Sequence, residues 1–195
     1  MGELRSTQFL SRSFTSEADG ASPARLNVGF VLADNFTLSA FSLFVDQLRL
    51  AADDGDLSRP IHCRWSIMAN RRDPIRASCG VTVSPTATFT DPRGFDYIVV
   101  VGGLLHAGPQ VDEATVTYLR RAANAGVTLV GVCTGSFVLA RAGLMTGRRC
   151  CVSWYHYQDF LTEFPHHHPV ADRLFVEDRD RITCSGAGRP ISPRT

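Results

Sequence analysis

At 195 residues the chain is long enough to bury one full hydrophobic core. Its composition, 44% hydrophobic and 20% charged, is that of a globular chain in water, and no run reaches the about 18 apolar residues of a membrane-spanning helix. A formal net charge of +1, with acids and bases interspersed, offers no basic footprint for direct binding of nucleic acid or a membrane.

Residues 1–25 mix Ser, Arg, Thr and Glu without hydrophobic periodicity and read as a disordered leader. Its opening Met1-Gly2-Glu3-Leu4-Arg5-Ser6 fits a myristoylation pattern short enough to arise by chance. The leader lacks the apolar core of a signal peptide. None of the six cysteines (Cys63, Cys79, Cys133, Cys150, Cys151, Cys184) belongs to a C-x-x-C pair. Reduced thiols in a cytoplasm are therefore expected, with no structural metal and no cofactor.

The folded domain is expected over 26–188. Leu26 to Ala33 is an apolar, β-rich run that predicts a buried strand. Asp34 and Asn35 offer an N-cap to a helix in which Phe41, Phe44, Val45 and Leu48 share one face. A second strand is predicted near 61–69, where Cys63, Trp65 and Ile67 alternate with polar residues, and a weaker extended piece near 81–84. The buried run from Asp96 to Val101 ends in Gly102-Gly103, which implies close backbone approach. The helix predicted over 112–125 has Asp112 and Glu113 in its first turn, Arg120 and Arg121 in its last, and Gly126 beyond. Val127 to Val132 reads as a strand and Thr134 to Ala142 as a helix. A further helix capped by Ser153 carries Trp154, Tyr157 and Leu161, and short strands at 174–177 and 181–184 flank an Asp-Arg-Asp turn. This alternation predicts an α/β three-layer sandwich: a mostly parallel, flavodoxin-like sheet flanked by helices, with its site beyond the carboxyl ends of the strands.

Gly131-Val132-Cys133-Thr134-Gly135 carries the chemistry. A hydrophobic strand, a G-x-C-x-G turn and a helix make the context of a nucleophile elbow with Cys in place of Ser. Such a turn lifts Cys133 out of the sheet beside a helix N-terminus, where a thiolate is favoured. The backbone N–H groups of Gly103 and Thr134 are the candidate oxyanion donors, and Gly102, Gly103, Cys133, His106 and His156 the candidate ligand-binding residues. His166-His167-His168 lies between Pro165 and Pro169, and adjacent side chains do not converge on one metal ion. Cys150 and Cys151, as neighbours on an extended segment, point to opposite faces.

Gly102-Gly103 with Gly-Val-Cys-Thr-Gly-Ser-Phe-Val-Leu-Ala-Arg-Ala-Gly-Leu at 131–144 resembles the ThiJ/PfpI superfamily, also called class I glutamine amidotransferase-like. More narrowly, 133–140 with Gly147-Arg148-Arg149, Asn35-Phe36-Thr37-Leu38 and 172–176 resembles the N-terminal domain of GlxA-type AraC family regulators. In catalytic branches of that superfamily an acid four residues after an aromatic faces the cysteine. Counting from Phe36, that position here is Ala40, whose methyl can neither take a proton nor hold the sulfur. The His that regulators commonly carry before the post-elbow Trp is here Ser153. AraC-type regulators place two helix-turn-helix units after this domain. The remainder after Pro165 holds no such pair, and Pro190 and Pro193 oppose a helix in the tail at 189–195. The expectation is a ligand-sensing and dimerising regulator domain, acting as a homodimer on a small molecule and cut off before its DNA-binding part. The alternatives are a stand-alone cysteine-dependent hydrolase, hydratase or glyoxalase-like enzyme, and a redox sensor in which Cys133 is oxidised reversibly.

Overall fold

The computed structural model describes residues 26–55 and 57–186. The leader at 1–25 and the tail at 189–195 lie outside the described residues.

Strand β1 (Leu26–Leu32) forms where the apolar run demands a buried position, and helix α1 (Leu38–Ala51) follows. The helix does not start from Asp34 or Asn35. Its N-cap position is Thr37, and Asn35 instead adopts a left-handed φ of 55° with its N–H bonded to Arg76 O. Phe36 explains the delay: it bridges both Ala77 and Gly103, so the chain must cross between two neighbours before the helix can begin.

Next come β2 (Cys63–Ala69), the small antiparallel pair β3 (Ile75–Arg76) and β4 (Thr82–Val83), and β5 (Ala87–Thr88). Then β6 (Tyr97–Val101) leads to α2 (Glu113–Asn124), which is capped by Asp112 accepting Thr115 N–H as its sequence requires. Strand β7 (Thr128–Val132) feeds α3 (Gly135–Arg141). Beyond lie β8 (Cys150–Cys151), a 3-10 turn at Trp154–His156 capped by Ser153, α4 (Tyr157–Glu163), and β9 (Pro169–Val170), which pairs with β8. The hairpin β10 (Phe175–Asp178) and β11 (Arg181–Cys184) turns through Arg179 at a φ of 58°.

Seven strands form one sheet in the order β10-β11-β7-β6-β1-β2-β5, parallel except for the edge strand β10. Their central strands alternate faces with period two. Val31, Ile98, Val100 and Leu129 meet Leu119, Phe137 and Phe160 from α2, α3 and α4. Val28, Phe30, Val99, Val101 and Val132 point to the other face, under Phe41 and Leu48 of α1. Helices on both faces bury the central strands beyond their first residues, which is why those strands read as continuous apolar runs.

Candidate functional site

Three strand ends converge where the sequence places the glycines. β7 stops at Val132, Cys133 takes a φ of 57°, and α3 opens at Gly135. A non-glycine residue in the left-handed region costs about 1–2 kcal/mol, so the surrounding packing must enforce the turn. It does. A Cβ on Gly102 would stand 2.1 Å from backbone atoms of Thr134 and Gly135, and one on Gly135 would stand 2.2 Å from Val100 O. Only glycines let β6 and the elbow approach so closely.

Cys133 is partly exposed, and its Sγ lies 3.5 Å from Thr37 Oγ1, within hydrogen-bonding reach for sulfur. Thr37 makes no side-chain cap to its own helix, so its hydroxyl is directed to the thiol. Ala40 is 6% exposed and sits in the apolar cluster under α1, so this position brings no acid to Cys133. The Gly102 N–H is held by Val132 O, and Gly102 O accepts Thr37 N–H. The Gly103 carbonyl accepts from Thr134 Oγ1 at 2.6 Å and Gln110 Nε2 at 2.9 Å. Gly102, Gly103, Cys133 and Thr134 are thus brought together.

The two histidines are placed elsewhere. His156 Nδ1 pairs with Asp159 at 2.9 Å and its ring meets Phe137 edge-on, while His106 lines a cavity of about 430 Å³ with Leu105, Phe137 and Glu163. Among the described residues, the hydrogen-bonding neighbour of Cys133 Sγ is Thr37 and neither histidine.

Sequence reading missed four residues of the site: Thr37, Gln110, Arg141 and Cys184. Gln110 is buried, donates to Gly103 O and Thr134 Oγ1, and accepts from Arg141 Nη1 at 2.9 Å. Arg141 in turn grips Glu163 with a bidentate pair at 2.6 and 2.8 Å. Gln110 also borders an open cavity of about 320 Å³ at the carboxyl ends of β1 and β2, shared with Asp34, Asn70, Arg71 and Asp112. Cys184 faces the elbow. Burial pushes its thiol pKa up, against the lowering influence of the nearby backbone N–H groups of Gly186 and Cys133.

Cys150 and Cys151 are fully buried, and burial raises their thiols to about 12 and about 11. His167 packs between the rings of Phe160 and Phe164, where burial lowers its pKa. Among the described residues no group of three or more His, Cys, Asp or Glu side chains converges as a metal site would. Nor, among them, is any helix long and apolar enough to cross a membrane.

Residues 27–192 match the DJ-1/PfpI family. The chain is 36% identical over 182 residues to the HTH-type transcriptional regulator GbdR of Pseudomonas aeruginosa, covering 91% of this chain and 48% of that one. It is also 36% identical over 127 residues to the isonitrile hydratase of Pseudomonas putida, covering 65% and 52%. The chain spans about half the length of these curated relatives. An AraC family transcriptional regulator from Pseudomonas putida has a similar structure, with a TM-score of 0.67 at 21% identity, covering 83% of this chain and 84% of that one. The chain belongs to the DJ-1/PfpI family.

Proposed function

We propose that this DJ-1/PfpI chain is the ligand-sensing and dimerising part of an AraC-type transcriptional regulator, in which DNA binding belongs to residues outside the half of the relatives matched here. The observation that carries this reading is the chemistry around Cys133. The helix position from which an acid would serve it is the buried methyl of Ala40, and its polar neighbour is a threonine hydroxyl, a poor proton acceptor at neutral pH. A site with a partly exposed thiol but no positioned base among the described residues suits binding better than turnover. The likeness to GbdR supports the same direction.

The ligand seat in this reading is the polar cavity beside the elbow. It lies beyond the carboxyl ends of β1 and β2, where open α/β sheets take their ligands. Gln110 lines it and bonds directly to Gly103 and Thr134, so a bound molecule changes the elbow through one buried amide. A thermal-shift screen with small polar metabolites tests this. Hits should raise the melting temperature of the wild type and lose their effect in Asn70→Ala and Gln110→Met. Hits unaffected by either substitution would place the ligand elsewhere.

The left-handed elbow at Cys133, with the likeness to an isonitrile hydratase, supports a second reading as a cysteine-dependent enzyme. In it Cys133 is the nucleophile, and the N–H groups of Gly103 and Thr134 bind the developing oxyanion. Turnover of isonitrile or carbonyl substrates that disappears in Cys133→Ala would favour it over sensing.

A further inference from the structure

Cys184 is a thiol that the sensing reading does not use, and the fold carries it to Cys133. β11 runs parallel beside β7 with Cys184 opposite Val132, the residue before the elbow cysteine. Strand spacing and rise then place the two cysteine Cα atoms roughly 6 Å apart. That is within the span a disulfide bridges. Both side chains pack against the same apolar cluster under α1. The backbone N–H of Cys133 lies near enough to the Cys184 sulfur to act on its pKa. Beyond Cys184 the chain folds over the elbow: a Cβ on Gly186, whose φ is 86°, would stand 3.1 Å from Cys133 Cβ and 3.4 Å from its Sγ. Thr37 Oγ1 borders the same sulfur.

We propose that Cys133 and Cys184 are a dithiol that closes to a reversible intramolecular disulfide when the protein meets a hydroperoxide. Both thiols are partly exposed, and Cys133, held out at the left-handed strand-to-helix turn, reacts first. Its sulfur forms a bond to the outer peroxide oxygen as the O–O bond breaks, and its proton leaves with the alkoxide as an alcohol, or as water from hydrogen peroxide. The sulfur is oxidised to sulfenic acid and the peroxide is reduced. The Cys184 sulfur then attacks the Cys133 sulfur, the S–S bond forms as the S–O bond breaks, and hydroxide departs with the Cys184 proton as water. Two thiols have given two electrons to one peroxide, and an external dithiol reverses the change. Cys184 suits the second role, because desolvation pushes its thiol pKa up and disfavours its thiolate as the oxidant's first target, while the fold keeps the sulfur beside Cys133. The proposal stands independently of ligand sensing, and its failure leaves that reading untouched.

The test treats the full chain with one equivalent of tert-butyl hydroperoxide, quenches with N-ethylmaleimide, and maps unreduced peptides by mass spectrometry. The expected product is a Cys133–Cys184 linked peptide that vanishes after dithiothreitol, with Cys79 recovered as its alkylated form. Cys184→Ser and Cys184→Ala, checked for folding by circular dichroism, should lose the link and accumulate dimedone-labelled Cys133. Should neither variant fold, the wild-type peptide map decides alone. A wild type in which Cys133 proceeds to sulfinic acid with no link to Cys184, or links instead to Cys79, overturns the proposal.

Discussion

Gln110→Ala tests whether one buried amide holds the elbow to the neighbouring strand end. Gln110 is 3% exposed and makes three hydrogen bonds, to Gly103 O, Thr134 Oγ1 and the Arg141 guanidinium. Each neutral bond contributes about 1 kcal/mol net and the one to the charged guanidinium about 2 kcal/mol. The lost side-chain methylene adds about 0.8 kcal/mol. Offsets are visible: Gly103 O keeps the Thr134 hydroxyl, Arg141 keeps Glu163, and water can enter from the adjoining cavity. The net cost should be about 2–3 kcal/mol, which for a chain of this size lowers the melting temperature by about 4–12 °C. Urea unfolding with a calorimetric scan measures both. Gln110→Met preserves volume while deleting the bonds, and should retain at least half of the loss. The reasoning is refuted if Gln110→Ala costs less than about 0.5 kcal/mol, the level of an ordinary surface change, or if Gln110→Met matches the wild type.

Gly102→Ala drives a methyl into the backbone of Thr134 and Gly135, which cannot yield as a side chain could. Its cost should exceed the about 1–3 kcal/mol of ordinary overpacking, seen as loss of soluble protein or of the cooperative unfolding transition. In the native chain, iodoacetamide at neutral pH should label Cys79 and Cys133 ahead of Cys150 and Cys151, whose buried thiols become reactive only in urea; peptide mapping reads the order. The Asp53 carboxyl is held well below the usual carboxylate range, first by hydrogen bonds from the Arg59 side chain and then by the Gly55 N–H. Its folded pKa lies below its unfolded one, so its contribution is fully present above about pH 4–5 and is lost as pH falls through the acid range. Asp53→Asn should flatten the acid limb of the stability curve, which denaturation at a series of pH values would register.

The strand-to-helix turn at Cys133 was legible because its cause is local. A β-rich run, a glycine two residues before Cys133 and another two after it leave few ways to turn from strand to helix, and the structure uses those glycines where side chains would collide. The same holds for α2, whose cap and terminal charges lie within its own segment. The start of α1 was misread for the opposite reason. Asp34 and Asn35 are good caps by composition, but Phe36 is bound on both sides by residues distant in sequence, so the helix waits until Leu38. Gln110 left no mark in the sequence, since it follows Gly108-Pro109 in a loop and its partners Thr134 and Arg141 lie 24 and 31 residues away. The nearness of Cys184 to Cys133 depends on β11 lying beside β7, a matter of strand order that no local pattern carries.

The measurement that bears most directly on the central claim follows each thermal-shift hit by proton NMR during a long incubation with catalytic amounts of the protein. The account predicts saturable binding with the ligand's own spectrum unchanged. Consumption of the ligand by the wild type, and not by Cys133→Ala, would contradict it and make the chain an enzyme.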